Sequence, residues 1–183
     1  MNIKFGNISS IVQYTAPYVL LVFLFVLDNI FLRWSAFNEI RPGFLLMAVY
    51  YWAIYRPRLL PPTFIFIIAL AKDVIEYTPL GLHGLLYLPL YLFLRRQRRF
   101  LYEQPFFVVW LGFAAITTLA NFALWLLIRA SQYGFDFTIR DDDFMNILYD
   151  SASGIFVFPI VAILLFFIHR MLPQKARRGG EIK

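Results

Sequence analysis

From residue 15 to residue 171 the chain alternates long apolar runs with short breaks of charge, proline and glycine, and it holds to that plan throughout. The runs cover residues 15–34, 42–55, 61–77, 80–94, 105–128 and 144–171. A water-soluble domain needs more polar surface than such a chain can supply: charged residues are 15% of this sequence, against about 25% in a typical soluble domain. Mean hydropathy is correspondingly high, at +0.66. Hydrocarbon offers backbone amides no partner, so each run is expected to satisfy its own amides as a helix. The expected fold class is therefore all-α integral membrane, with six transmembrane helices in one domain over residues 1–172 and a disordered basic tail over 173–183. The runs 42–55 and 80–94 fall short of the roughly 20 residues of a straight crossing, so they borrow flanking residues, thin the membrane or re-enter it. Five crossings is the alternative count.

Charge sets the orientation. With six crossings, one side receives Lys4, Arg56, Arg58, Arg95, Arg96, Arg98, Arg99, Arg170, Lys175, Arg177, Arg178 and Lys183, and the other only Arg33, Arg41, Arg129 and Arg140. Positive residues favour the cytoplasmic side, so both termini are expected there. The net charge of +6 is then a matter of topology. The basic residues gather at the ends of apolar runs and form no patch on a polar domain, which argues against nucleic acid as a partner. The opposite side holds the acidic stretch 136–143, read as a solvated loop, with a cation site as the lesser alternative. There is no cysteine, which excludes disulfides, thiolate metal sites and cysteine nucleophiles. The first apolar run lacks a small-residue cleavage site and is expected to be retained.

Ionisable residues inside the apolar runs need partners, water or a place near the surface, because each costs roughly 2.5–3.5 kcal/mol at bilayer depth. Asp28 and Asn29 lie near the end of the first run, with Arg33 about a turn beyond as the expected contact. Lys72, Asp73 and Glu76 close the third run, where Asp73 and Glu76 share a helix face and Lys72 reaches Glu76 at i,i+4. A turn, Thr78-Pro79-Leu80-Gly81, and His83 follow at once. Asp73, Glu76, Pro79, Leu80, Gly81 and His83 are thus the candidate socket for a partner or for the fold itself, the plainer alternative being a solvated helix end. Ser151, Ala152, Ser153 and Gly154 are small residues of the kind that let helices pack closely, and Asn121, with Thr117 and Thr118 a turn earlier, forms a polar stripe expected to face that helix. Tyr50, Tyr51, Trp52 and Tyr55 are expected at headgroup depth, and Tyr87 and Tyr91 in packing.

No catalytic residues are assigned. Asp150, Ser151, Ser153 and His83 have the letters of a nucleophilic triad, but no strand-turn-helix elbow frames either serine. His83 and His169 fall near opposite faces of the proposed topology and have no ligand spacing, so no metal site is expected. No glycine-rich phosphate loop is present, and no cofactor is implied.

The segments RPGFLLMAVYYWAIYRP and PLGLHGLLYLPLYLFLRRQRRFL, with an acidic helix end between them, resemble the rod shape-determining MreD family. The PLGLH turn carries most of the likeness. Arg41, Pro42, Arg56, Pro57, Asp73, Pro79, Leu80, Gly81 and His83 fall on matching positions, whereas Lys72 stands where the family is usually apolar. The resemblance implies a bundle similar to the S component of energy-coupling-factor transporters, and a non-enzymatic role in the bacterial inner membrane. It implies partnership with MreC, and with MreB, RodA and a penicillin-binding transpeptidase, in cell elongation and peptidoglycan synthesis. Arg95, Arg96, Arg98 and Arg99 would anchor at anionic lipid headgroups. A vitamin-like small-molecule binding or transport subunit is the alternative function.

Overall fold

The computed structural model describes residues 6–31, 42–57, 60–132 and 141–171. All of the regular structure there is helical: α1 (Gly6–Phe31), α2 (Phe44–Tyr55), α3 (Pro62–Glu76), α4 (Leu82–Tyr102), α5 (Phe106–Gln132) and α6 (Asp141–Met171). Lys4, Arg33, Trp34, Arg41, Arg58, Arg140 and the basic tail lie outside the described residues, as does most of the acidic stretch. Its last three residues, Asp141, Asp142 and Asp143, open α6 instead of belonging to a loop. A helix N-terminus attracts negative charge, which accounts for that difference. At its other end, α4 does not stop at Leu94 but runs through all four arginines to Tyr102, since arginine, glutamine and leucine are good helix formers.

The helix at the centre of the bundle is α2. It packs against α1, α4, α5 and α6, and every residue from Phe44 to Ile54 is buried. A helix that is apolar on all sides belongs inside. Tyr50, Tyr51 and Trp52 are accordingly core residues of the bundle, a packing role the sequence did not show. The Tyr50 hydroxyl donates to Val109 O at 2.8 Å, and its ring meets Phe113 and Phe158 edge-on. Gly112 permits this approach, because a Cβ there would lie 2.9 Å from the Tyr50 hydroxyl. Tyr91, also buried, donates to Pro57 O and Leu60 O and so pins the α2–α3 connection.

Two stretches, Phe106–Ser131 and Phe144–Phe167, are long and apolar enough to cross a bilayer, and Tyr18–Ile30 and Phe44–Tyr55 are shorter apolar helices. The outside of the bundle is lined with large apolar side chains, among them Phe23, Ile67, Leu119, Phe156 and Ile160. A surface of that kind is covered by lipid or protein. The helices are of unequal reach. Asp28, His83, Asn121 and Asp150 line one cavity and so lie at one level; α3 and α4 meet there, whereas α5 continues from Asn121 to Gln132, roughly 16 Å further at helical rise.

Candidate functional site

The site forms where α3 ends and α4 begins. Tyr77 leaves α3 in the left-handed conformation (φ 56°, ψ 31°), with its N–H directed to Asp73 O, and Thr78 N–H donates to the same carbonyl at 3.0 Å. Gly81 then turns the chain into α4 at φ 93°. A Cβ at Gly81 would meet nothing within 4 Å, so the dihedral, not the space, calls for glycine.

No side chain within α4 caps its N-terminus; Asp73 does so from α3. Asp73 Oδ2 accepts from Gly81 N–H (2.7 Å). Its Oδ1 accepts from His83 N–H (3.0 Å), His83 Nδ1–H (2.7 Å) and the Thr78 hydroxyl (3.0 Å). Negative charge on the first free amides of a helix satisfies both the donors and the macrodipole. Asp73 and His83 are each 0% exposed, so the acid–imidazole pair of the clamp is closed to solvent.

A second carboxylate does the same for α2, whose N-cap is Gly43 and lacks a side-chain acceptor of its own. Asp28 Oδ1, from α1, accepts the Phe44 N–H at 2.8 Å. Asp28 Oδ2 receives Lys72 Nζ at 2.5 Å, and Lys72 also reaches Glu76 Oε1 at 2.9 Å, as its i,i+4 spacing predicts. Glu76 Oε2 in turn faces His83 Nε2 at 3.2 Å, without the angle of a hydrogen bond. A continuous polar chain therefore runs from the start of α2 through Asp28, Lys72, Glu76, His83 and Asp73 to the start of α4. It ties four helices together at one end of the bundle.

Lys72 accordingly points away from Asp73 and towards Asp28. The expected Asp28 contact, Arg33, lies outside the described residues. A cavity of about 80 Å³ adjoins the chain, reached by Lys72, Glu76 and His83 on one side and by Asn121 and Asp150 on the other. It has room for a few waters and is well below the roughly 300–1,000 Å³ of small-molecule sites. Asn121 donates to Ser151 Oγ at 3.1 Å, the α5–α6 contact that the polar stripe suggested. Ser153 donates to Asp150 O within its own helix, so neither serine meets His83. Among the described residues no three His, Asp or Glu side chains are grouped to hold a metal ion.

The opposite end of the bundle carries the arginines. Arg98 donates from Nε to Ile54 O (2.8 Å) and from Nη2 to Tyr55 O (3.5 Å), which satisfies carbonyls at the C-terminus of α2. The central helix is thus closed at both ends by side chains from its neighbours. Arg95, Arg96 and Arg99 are exposed.

Of the six residues expected to form the socket, the structure brings Asp73, Glu76, Gly81 and His83 into one place, whereas Pro79 and Leu80, also expected there, are exposed on the outside of the turn. Sequence reasoning missed the Lys72–Asp28 pair, the capping role of Arg98, and Tyr77. The available signal was negative: α2 begins after Gly43 without a Ser, Thr, Asp or Asn cap, so its acceptor had to come from elsewhere. A family model described as rod shape-determining protein MreD matches residues 9–171 of the chain. No curated protein and no solved structure matches it.

Proposed function

The chain belongs to the rod shape-determining protein MreD family, and from that premise we propose that it is a non-catalytic scaffold of the bacterial inner membrane that binds MreC. In this reading it crosses the bilayer six times with both termini in the cytoplasm, in an arrangement like that of an energy-coupling-factor S component. It helps to hold MreB, RodA and a penicillin-binding transpeptidase together for lateral peptidoglycan synthesis. The charged groups of the polar chain are engaged with one another and with helix ends, which is the use a framework makes of them.

The observation that supports partner binding is the outer surface of the α3–α4 turn. Tyr77 and Leu80 are 90% and 74% exposed, on a backbone fixed from below by Asp73. Tyr77 keeps a bulky ring at a left-handed position where a non-glycine residue costs about 1–2 kcal/mol and glycine is the usual occupant. Strain of this sort is a mark of functional positions, and exposed aromatic residues on rigid supports are typical binding anchors.

The test separates binding from stability. Tyr77→Gly and Leu80→Ala together are expected to lower MreC recovery in co-purification by roughly tenfold, while the melting temperature in detergent stays level or rises. Recovery equal to wild type would remove the turn from the interface. Topology has its own check, made simple by the absence of cysteine. A single cysteine at Gln97 is expected to resist an impermeant thiol reagent in intact cells and to react once they are opened; labelling in intact cells would invert the assigned orientation.

A further inference from the structure

The groove between α2, α5 and α6 at the arginine end is not used by the scaffold reading. It has a volume of about 280 Å³ and is lined by Tyr51, Tyr55, Phe106, Phe158, Ile163 and Phe166 among others. Phe106, Ile163 and Phe166 are each more than half exposed along it, so it opens sideways to whatever surrounds the bundle. At one edge of the groove the Tyr55 ring meets the Tyr102 ring at 5.9 Å. Tyr102 in turn lines a second hollow, of about 250 Å³, with Arg98, Arg99 and Glu103. An apolar slot and a basic hollow therefore adjoin across this pair of rings.

The basic hollow is partly built in advance. Arg98 is held by the Ile54 and Tyr55 carbonyls through Nε and Nη2 and lies 6.0 Å over the Tyr102 ring. Its Nη1 has no hydrogen-bond partner among the described residues. Arg99 stands exposed beside it, and Arg95 and Arg96 lie a turn away on the same helix. Glu103 is the one acid of the hollow. It disfavours a doubly charged phosphate monoester, but it can accept hydroxyl protons from a headgroup whose phosphodiester carries a single charge.

We propose that this end of the bundle binds one anionic diacyl phospholipid, its phosphodiester on Arg98 and Arg99, its headgroup hydroxyls towards Glu103, and one acyl chain in the Tyr51–Phe166 groove. The proposal rests on the multi-pass reading above, because only a bundle embedded in lipid presents such a groove to an acyl chain. Charge complementarity selects the occupant: two arginines against one glutamate in the hollow, with Arg95 and Arg96 a turn away, favour a lipid of net negative charge. Apolar grooves with basic residues at the headgroup level are the physical form that such recognition takes.

The experiment uses the full chain, purified in detergent and offered equal amounts of phosphatidylglycerol, phosphatidylethanolamine and a polyprenyl phosphate, with bound lipid read by native mass spectrometry. Phosphatidylglycerol is expected to be retained at least fivefold over the other two. Arg99→Gln is expected to reduce its occupancy about fivefold, the weight of one basic residue at an anionic surface. Ile163→Trp, which fills the groove from its exposed side, is expected to lower occupancy without lowering the melting temperature. Equal retention of the three lipids, preference for the polyprenyl phosphate, or variants that bind as wild type does would overturn the site. Extraction of the chain from membranes by alkaline carbonate would instead overturn the multi-pass reading, so the two failures are distinct.

Discussion

Alanine at Asp73 is expected to cost about 3–5 kcal/mol of stability, the scale of breaking a buried, hydrogen-bonded charge cluster. The substitution removes the acceptor of four donors at once: Gly81 N–H, His83 N–H, His83 Nδ1–H and the Thr78 hydroxyl. Two of these are amides at the start of α4, which have no other acceptor in that helix. Unfolding in mixed micelles, followed by circular dichroism, measures the loss, and MreC recovery should fall with it. Asp73→Asn should fall between, because one amide oxygen can still accept while the NH₂ faces a donor. A cost below about 1 kcal/mol, no more than an ordinary hydrogen bond, would mean that the turn is held by something other than this carboxylate.

The second large effect is expected at Lys72. Lys72→Met keeps most of the length of the side chain but leaves the buried Asp28 and the half-buried Glu76 without their shared cation, again at about 3–5 kcal/mol. The diagnostic result is the rescue. Asparagine at position 28 can still accept the Phe44 N–H while it removes the stranded charge, so Asp28→Asn should recover part of the loss in the Lys72→Met background. A coupling of about 1–3 kcal/mol is expected from the double-mutant cycle. Additive losses would show that the two side chains do not act as a unit.

The helical class was legible in the chain because hydrocarbon leaves the backbone one local solution and because proline, glycine and charge mark the breaks. The turn at 77–81 was legible for a related reason: carboxylates, Pro79, Gly81 and His83 lie within a few residues of one another, so the contacts of Asp73 are local in sequence. Asp28 was legible only as a polar residue in need of a partner. Its partner, Lys72, is 44 residues away, and local periodicity carries no information about which helices become neighbours. The burial of the α2 aromatic residues was missed for the same reason, because only the ring of helices around α2 makes them core residues. Tyr77 was passed over because an exposed tyrosine is unremarkable until its positive φ is known.

The unequal reach of the helices gives the bundle a lopsided rim. From His83 to Arg95, α4 covers roughly 18 Å at helical rise, against a hydrocarbon layer of about 30 Å, while Phe106–Ser131 and Phe144–Phe167 are long enough for the whole layer. With the arginines set at one headgroup level, as proposed above, the far leaflet must slope down towards the Tyr77–Leu80 turn and rise again along α5 and α6. A slope has a direction, and it gives the molecule a front and a back in the plane of the membrane. A neighbour with a short apolar span would relieve the deformation by settling at the front, so the lipid itself would bias where a partner docks before any side chain makes contact.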